Sequence, residues 1–261
     1  MLKASIKKIG IIAPGLTNWG QCRQVLTGEQ TFEKRPPDKF VPNLLRPNER
    51  RRTTNLIKLA LQVGEQILDD CPYPQNSLCA VFASSEGDTD IIDKICTALT
   101  LPDQPVSPTQ FHNSVHNAPA GYWAIATECR ESSTSLSAGT ASFASGLLEA
   151  TTIAVTEHKP VLMISYDYPA PESLQPFVPV TEPLACALLI SHETDGENEA
   201  IISLQLNQTA TPSSLDNAAL EPLRQSNPSG HALSLLEAIC TSKQTAVLPY
   251  VGGNSLMVTL S

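Results

Sequence analysis

Residues 132–145 (SSTSLSAGTASFAS) are fourteen in a row with almost only tiny side chains, and no other feature constrains the fold of this chain as much. The tract lies where a β-prone run (134–139) gives way to a helix of small residues (144–155). A continuous apolar strand, 160–165 (PVLMIS), follows. Strand, helix and fully apolar strand in succession predict layered α/β structure with a sheet buried on both faces. Small residues at such a junction let the backbone approach a ligand, a neighbouring helix or a partner closely. The serines and threonines there could include a nucleophile, but activation needs a positioned base and an oxyanion hole. No base is adjacent in sequence, so packing is the default reading.

The rest of the chain extends the alternation. Residues 6–13 form a β-rich run closed by Pro14-Gly15, a strand and a turn. A stretch rich in proline and basic side chains follows and reads as an excursion over the surface. Within it, 46–52 (RPNERRR) is the one local positive cluster, either a solvated loop leading into a helix or a docking patch for an acidic partner. Leu56, Leu59, Ala60, Val63, Ile67 and Leu68 then recur at helical spacing over 53–69. Residues 77–84 (SLCAVFAS) predict a buried strand, and Ile91, Ile92, Ile95 and Leu99 a helix behind the Glu86-Gly87-Asp88 loop. Residues 184–191 and 200–206 predict strands, joined as a hairpin across the acidic loop 193–199. Residues 207–229 read as a linker, 231–241 as a last helix, and 247–260 as strand, Gly-Gly turn and strand.

Composition removes several classes. With 41% hydrophobic and 16% charged residues the chain has material for a sizeable core and is not a disordered polymer. Its net charge of −9 argues against a nucleic-acid partner. No run approaches the roughly 18 apolar residues of a membrane span. Lys7 and Lys8 interrupt the first apolar run, which therefore reads as a strand and not as a signal peptide. The seven cysteines are odd in number and scattered, without CxxC or Cys/His ligand spacing. A disulfide framework and a zinc framework both lose support, and a reducing cytoplasm is the simplest setting. The phosphate-binding patterns GxGxxG and GxxxxGK[ST] are absent, as is the GxSxG elbow. Residues 111–117 (FHNSVHN) hold His112 and His116 four apart, which on a helix would share a face, but the HExxH glutamate is missing. The segment reads as a polar structural or interface helix, and no metal or cofactor is expected.

Taken together, Ser107-Pro108, Asn117, Ala120-Gly121, SLSAGTASFASG and Glu149-Ala150 resemble, in order and spacing, the segment of thiolase-fold β-ketoacyl synthases that leads into the nucleophile elbow. ERRRTTNLIKLAL and VFASSEGDTDII are similar to the helix and strand-loop before it, and PVLMIS and PLACALLIS to the core strands after it. The resemblance covers residues 1–206 well and the tail poorly. It implies a thiolase-like layered α/β/α/β/α fold with a shortened C-terminal half: 1–206 as the N-terminal half and 207–261 completing the same fold. Val251-Gly252-Gly253-Asn254 followed by SLMVTL resembles the closing glycine-rich strand.

Two departures bear on function. Thr140 stands where the family carries its cysteine nucleophile, and an unactivated hydroxyl lacks the thiol's ionisation and nucleophilicity. The HGTGT histidine and the lysine-containing segment before the second histidine have no counterpart. Ser229-Gly230-His231 is similar to a catalytic Gly-His, in surroundings that do not match. A ketosynthase-like chain of this kind resembles the chain length factors of type II polyketide synthases, above all the short subunits of bacterial aryl polyene pathways. The resemblance implies a non-catalytic cytoplasmic subunit that pairs with a catalytic ketosynthase, shapes its acyl tunnel and meets acyl carrier protein transiently. It gives Ile91, Ile92, Ile95, Thr109 and Gln110 as tunnel-lining candidates. His112, Asn113, His116, Thr134 and Leu136 are the interface candidates. Two other readings stay open: a stand-alone acyltransferase or thioesterase using Thr140 or Ser142 with a distant histidine, and a carrier-binding or structural homodimer.

Overall fold

The computed structural model describes residues 2–261 except Pro179, Glu197, Asn198, Thr209 and Ser242. Eight strands and nine α-helices are described. The strands are β1 (Leu2–Ile12), β2 (Cys79–Ala83), β3 (Ser133–Leu136), β4 (Val161–Asp167), β5 (Leu184–Ser191), β6 (Ala200–Asn207), β7 (Thr245–Pro249) and β8 (Ser255–Leu260). The helices are α1 (Trp19–Leu26), α2 (Pro47–Arg52), α3 (Asn55–Leu68), α4 (Thr89–Leu99), α5 (Pro108–Asn113), α6 (Ala118–Thr127), α7 (Ser142–Glu157), α8 (Glu221–Gln225) and α9 (Ala232–Cys240). No helix among the described residues is long and apolar enough to cross a membrane.

All eight strands join one mixed sheet in the order β3-β2-β4-β5-β1-β6-β8-β7. β2 pairs parallel with β3 and β4, and every other pairing is antiparallel. The expected β5–β6 hairpin does not form. β1 lies between the two strands, pairing through Leu2–Ile6 with β6 and through Ser5–Ile12 with β5. Eleven residues of β-prone, largely apolar chain give β1 enough length to serve both neighbours, so the sheet centre is built by the N-terminus. The stretch read as a linker, 207–229, contains α8 and runs into the helical turn Pro228–His231.

Alternation along the strands sorts the core into two layers. Leu188, Met163, Ile11, Ile202 and Val258 face α1, α7 and α9. Leu189, Ile164 and Phe82 face α3 and α6. Gly146 sets the closest approach of α7 to the sheet: a Cβ there would meet the Ala83 side chain at 2.8 Å and Met163 at 2.9 Å. On the other face of the β6–β8–β7 group Val247 and Met257 are half-buried and Gln205 is exposed, and no core cluster forms there among the described residues. Ser213 covers the free edge of β7, its N–H donating to Val247 O (2.9 Å) and its Oγ accepting from Val247 N–H (2.9 Å).

Candidate functional site

The small-residue tract forms the elbow between β3 and α7. Gly139 takes a left-handed φ of 54°, and a Cβ added there would touch nothing. Glycine is needed for its backbone freedom at this point and not for space. Thr140 follows, exposed, and borders a cleft of about 460 Å³ shared with Ala138, Tyr250 and the Gly252-Gly253 turn. Ser142 is fully buried and already engaged: its hydroxyl donates to Gly139 O at 2.7 Å and accepts from Ala138 N–H at 3.0 Å. That hydroxyl closes the turn and tethers the first turn of α7.

The Pro228–His231 turn packs against this elbow, so the chain does bring Thr140 and the Gly-His segment into one region. The imidazole is committed, however. Arg224 Nη1 lies 3.2 Å from His231 Nδ1, and a guanidinium can only donate, so Nδ1 is the acceptor and the neutral ring carries its proton on Nε2. Burial, with Arg224 beside it, lowers the His231 pKa to about 4. Arg224 is itself fixed by Glu221 through Nε to Oε2 (2.8 Å) and Nη2 to Oε1 (2.5 Å), which hold the Glu221 carboxyl at about 2. His231 can therefore offer a hydrogen bond to its surroundings but no lone pair, and a general base must offer the lone pair.

Beneath the elbow is a group that sequence reasoning missed. Asp167, at the end of β4, is 3% exposed. Its Oδ1 accepts from Ser84 Oγ (3.1 Å), Ser85 N–H (2.7 Å) and Ser85 Oγ (2.8 Å). Its Oδ2 accepts from Ser229 N–H (3.2 Å) and Ser229 Oγ (2.7 Å). Burial pushes this carboxyl above its usual range while the serine donors hold it back. The cage ties the β2–α4 loop to the Gly-His turn. An aspartate closing an apolar strand, with a Ser-Ser pair closing another, was the available signal.

The tunnel candidates separate. Ile91, Thr109 and Gln110 line one cavity of about 620 Å³ together with Arg51, Arg52, Asp88 and Lys94. Ile91 is buried, whereas Ile95 is half-buried and Ile92 is 42% exposed. Around them Leu99, Phe111 and Val115 are exposed. Of the interface candidates, Asn113 is buried, donating to Arg52 O (2.7 Å) and accepting from Tyr122 OH (3.0 Å), so its side chain is used within the chain. His112 is exposed with its ring edge-on to Tyr122, and a ring nitrogen of the half-buried His116 lies 3.2 Å from Ser84 O. α5 ends at Asn113, so the two histidines do not share one helix. Thr134 and Leu136 are half-buried on β3, which is paired on one side only. No group of three or more His, Cys, Asp or Glu among the described residues could hold a metal ion.

Comparison with known proteins gives a family and a set of folds. The β-ketoacyl synthase N-terminal domain matches residues 18–251. Among solved structures, the complex of the ketosynthase ApeO with its chain length factor ApeC from Xenorhabdus doucetiae is 22% identical, with TM-score 0.77, covering 99% of this chain and 100% of that one. The ishigamide ketosynthase/chain length factor is 12% identical with TM-score 0.75, covering 99% of both chains. A β-ketoacyl synthase from Burkholderia phymatum is 14% identical with TM-score 0.63, but the match covers 90% of this chain and only 71% of that one. No curated protein matches the sequence.

Proposed function

The chain belongs to the β-ketoacyl synthase family, and from that premise we propose that it is a non-condensing, chain-length-factor-like subunit that pairs with a catalytic ketosynthase and shapes its acyl tunnel, as in aryl polyene biosynthesis. One observation carries the reading: the elbow has Thr140 in place of a thiol, and the nearby imidazole has its lone pair turned to Arg224. Neither half of a nucleophile–base pair is available. The likeness in fold also supports it, since the match spans 99% of this chain and 99–100% of chains from ketosynthase/chain length factor complexes.

The open edge of β3 and the exposed apolar residues of α4 and α5 support a partner on that side. An unpaired edge strand is an aggregation liability that a partner removes. An obligate pair of this kind buries more than roughly 2,000 Å². Acyl carrier protein would be a transient second partner.

The test is reconstitution. Purified alone with acyl and malonyl carrier protein, the chain should release no carbon dioxide above background; co-expressed with the ketosynthase of its host, it should co-purify and support elongation. Thr140→Ala should leave the complex active. Covalent acylation at Thr140, or loss of elongation in the alanine variant, would favour the stand-alone acyltransferase or thioesterase instead. A monodisperse monomer that ignores the ketosynthase would overturn the proposal.

A further inference from the structure

Far from the elbow, at the opposite end of β4, two imidazoles meet. His158 caps the C-terminus of α7 in a left-handed conformation (φ 54°), and His192 directly follows β5. The β4–β5 ladder pairs Val161 with Ile190, which brings the two residues to the same end of the sheet. Their ring centroids are 4.8 Å apart at an interplanar angle of 74°. His192 Nδ1 is buried and makes no hydrogen bond among the described residues. The neighbouring charged and polar groups are engaged with one another: Lys159 Nζ donates to Glu131 Oε2 (2.7 Å), and Tyr73 OH donates to Glu193 Oε2 (2.9 Å).

We propose that His158 and His192 form a two-imidazole binding site for a borderline divalent transition ion such as Zn²⁺ or Ni²⁺, completed by solvent. Two imidazoles on one ion, with metal–nitrogen distances of about 2.0–2.1 Å and an angle near 90–110°, have ring centroids about 4.5–5.2 Å apart. The observed 4.8 Å lies in that interval. Imidazole nitrogen suits zinc, nickel and copper, whereas magnesium and calcium require oxygen ligands. A bound ion would also satisfy the orphaned Nδ1, which otherwise carries the penalty of a buried polar atom without a partner. The ladder and the helix cap hold the two ligands on separate rigid elements, so an ion would link the end of α7 to the end of β5. The strand rise separates this pair from the elbow by about 20 Å, so the site stands apart from the proposed tunnel function.

The experiment is calorimetric titration of the full chain, in its ketosynthase complex where that is the soluble form, with ZnCl₂ and separately with NiCl₂. The expected result is one saturable site per chain that His192→Ala and His158→Asn each weaken about tenfold or more. Asparagine is chosen at position 158 because it tolerates the left-handed conformation, and circular dichroism checks that both variants fold. A parallel rise in Tm with added Zn²⁺, lost in both variants, would support the link between the elements. No saturable binding to the wild-type chain, or unchanged binding in both variants, would overturn the proposal and leave an edge-to-face ring contact only.

Discussion

Replacing Asp167 separates the cage's geometry from its charge. In Asp167→Ala five donated hydrogen bonds lose their acceptor at once. Not all five donors are stranded. Ser229 N–H also reaches Asn227 Oδ1 at 2.8 Å, and Ser229 Oγ lies 2.8 Å from Ser165 Oγ. Among the described residues Ser85 has no such second partner, so its N–H and hydroxyl are left without one, and Ser84 Oγ loses its one acceptor. Each of these three buried orphans costs about 1–3 kcal/mol, so the alanine variant should lose about 3–9 kcal/mol. In Asp167→Asn the retained carbonyl oxygen can still serve Ser84 and Ser85. The Ser229 hydroxyl can rotate to accept from the new amide and donate to Ser165, so the loss should be near 1–2 kcal/mol. Thermal unfolding followed by circular dichroism should show the contrast. At roughly 2–4 °C per kcal/mol for a chain of this size, alanine should lower Tm by about 6 °C or more and asparagine by a few degrees. Hydrogen exchange should localise the effect to residues 84–88 and 227–231. An alanine variant within 1 °C of wild type, or an asparagine variant as damaged as alanine, would refute the argument.

Other expectations follow from the same geometry. Gln110→Phe, in the 620 Å³ cavity, should shorten the product of the reconstituted complex, because overpacking of about 1–3 kcal/mol is enough to bias termination; mass spectrometry of products from an intact, active complex reads it, and unchanged lengths would count against a measuring role. Gly146→Ala should destabilise by about 1–3 kcal/mol, since its Cβ would sit 2.8 Å from the Ala83 side chain; urea unfolding measures this. Stability should fall on acidification with one sign from two groups. His231, held down to about 4, resists the proton that the unfolded chain takes up near pH 6.5, so stability declines as pH drops from there through 4. Glu221, held at about 2 by Arg224, stabilises fully above its unfolded value and loses that contribution as pH falls from about 5 toward 2. Glu221→Gln should flatten the lower part of a Tm–pH profile.

Runs with a clear period were legible: the apolar strands and the Leu56–Ile67 face of α3 appear where their patterns predict them. Pairing was not. The loop after Ser191 looks like a hairpin because nothing local reveals that both flanking strands bond to a strand from the N-terminus. The cage was missed for the same reason: an aspartate and a Ser-Ser pair each close an apolar strand, but its serines lie 83, 82 and 62 residues from Asp167. Ile91 and Ile92 carried equal weight in the helical pattern, yet only Ile91 turns inward. His231 was readable as a residue type, but its inability to act as a base depends on Arg224, which only the fold brings to its Nδ1.

The long reach of β1 also sets a timetable. Ser5 waits for Ser191 and Leu2 for Leu204 before either can form its ladder. At synthesis rates of about 5–20 residues per second, the first strand emerges roughly 10–40 s ahead of its partners. For that interval Ile6, Ile9 and Ile11 have no sheet to enter. The earliest cover is α1, whose Cys22, Val25 and Leu26 share their core cluster; α3 follows on the other face, where Gln66 Oε1 accepts from Ile11 N–H at 3.0 Å. A nascent chain that closes its centre late is a natural client for holding chaperones, and codon changes that slow translation before residue 184 should lower its yield before they alter any contact in the finished molecule.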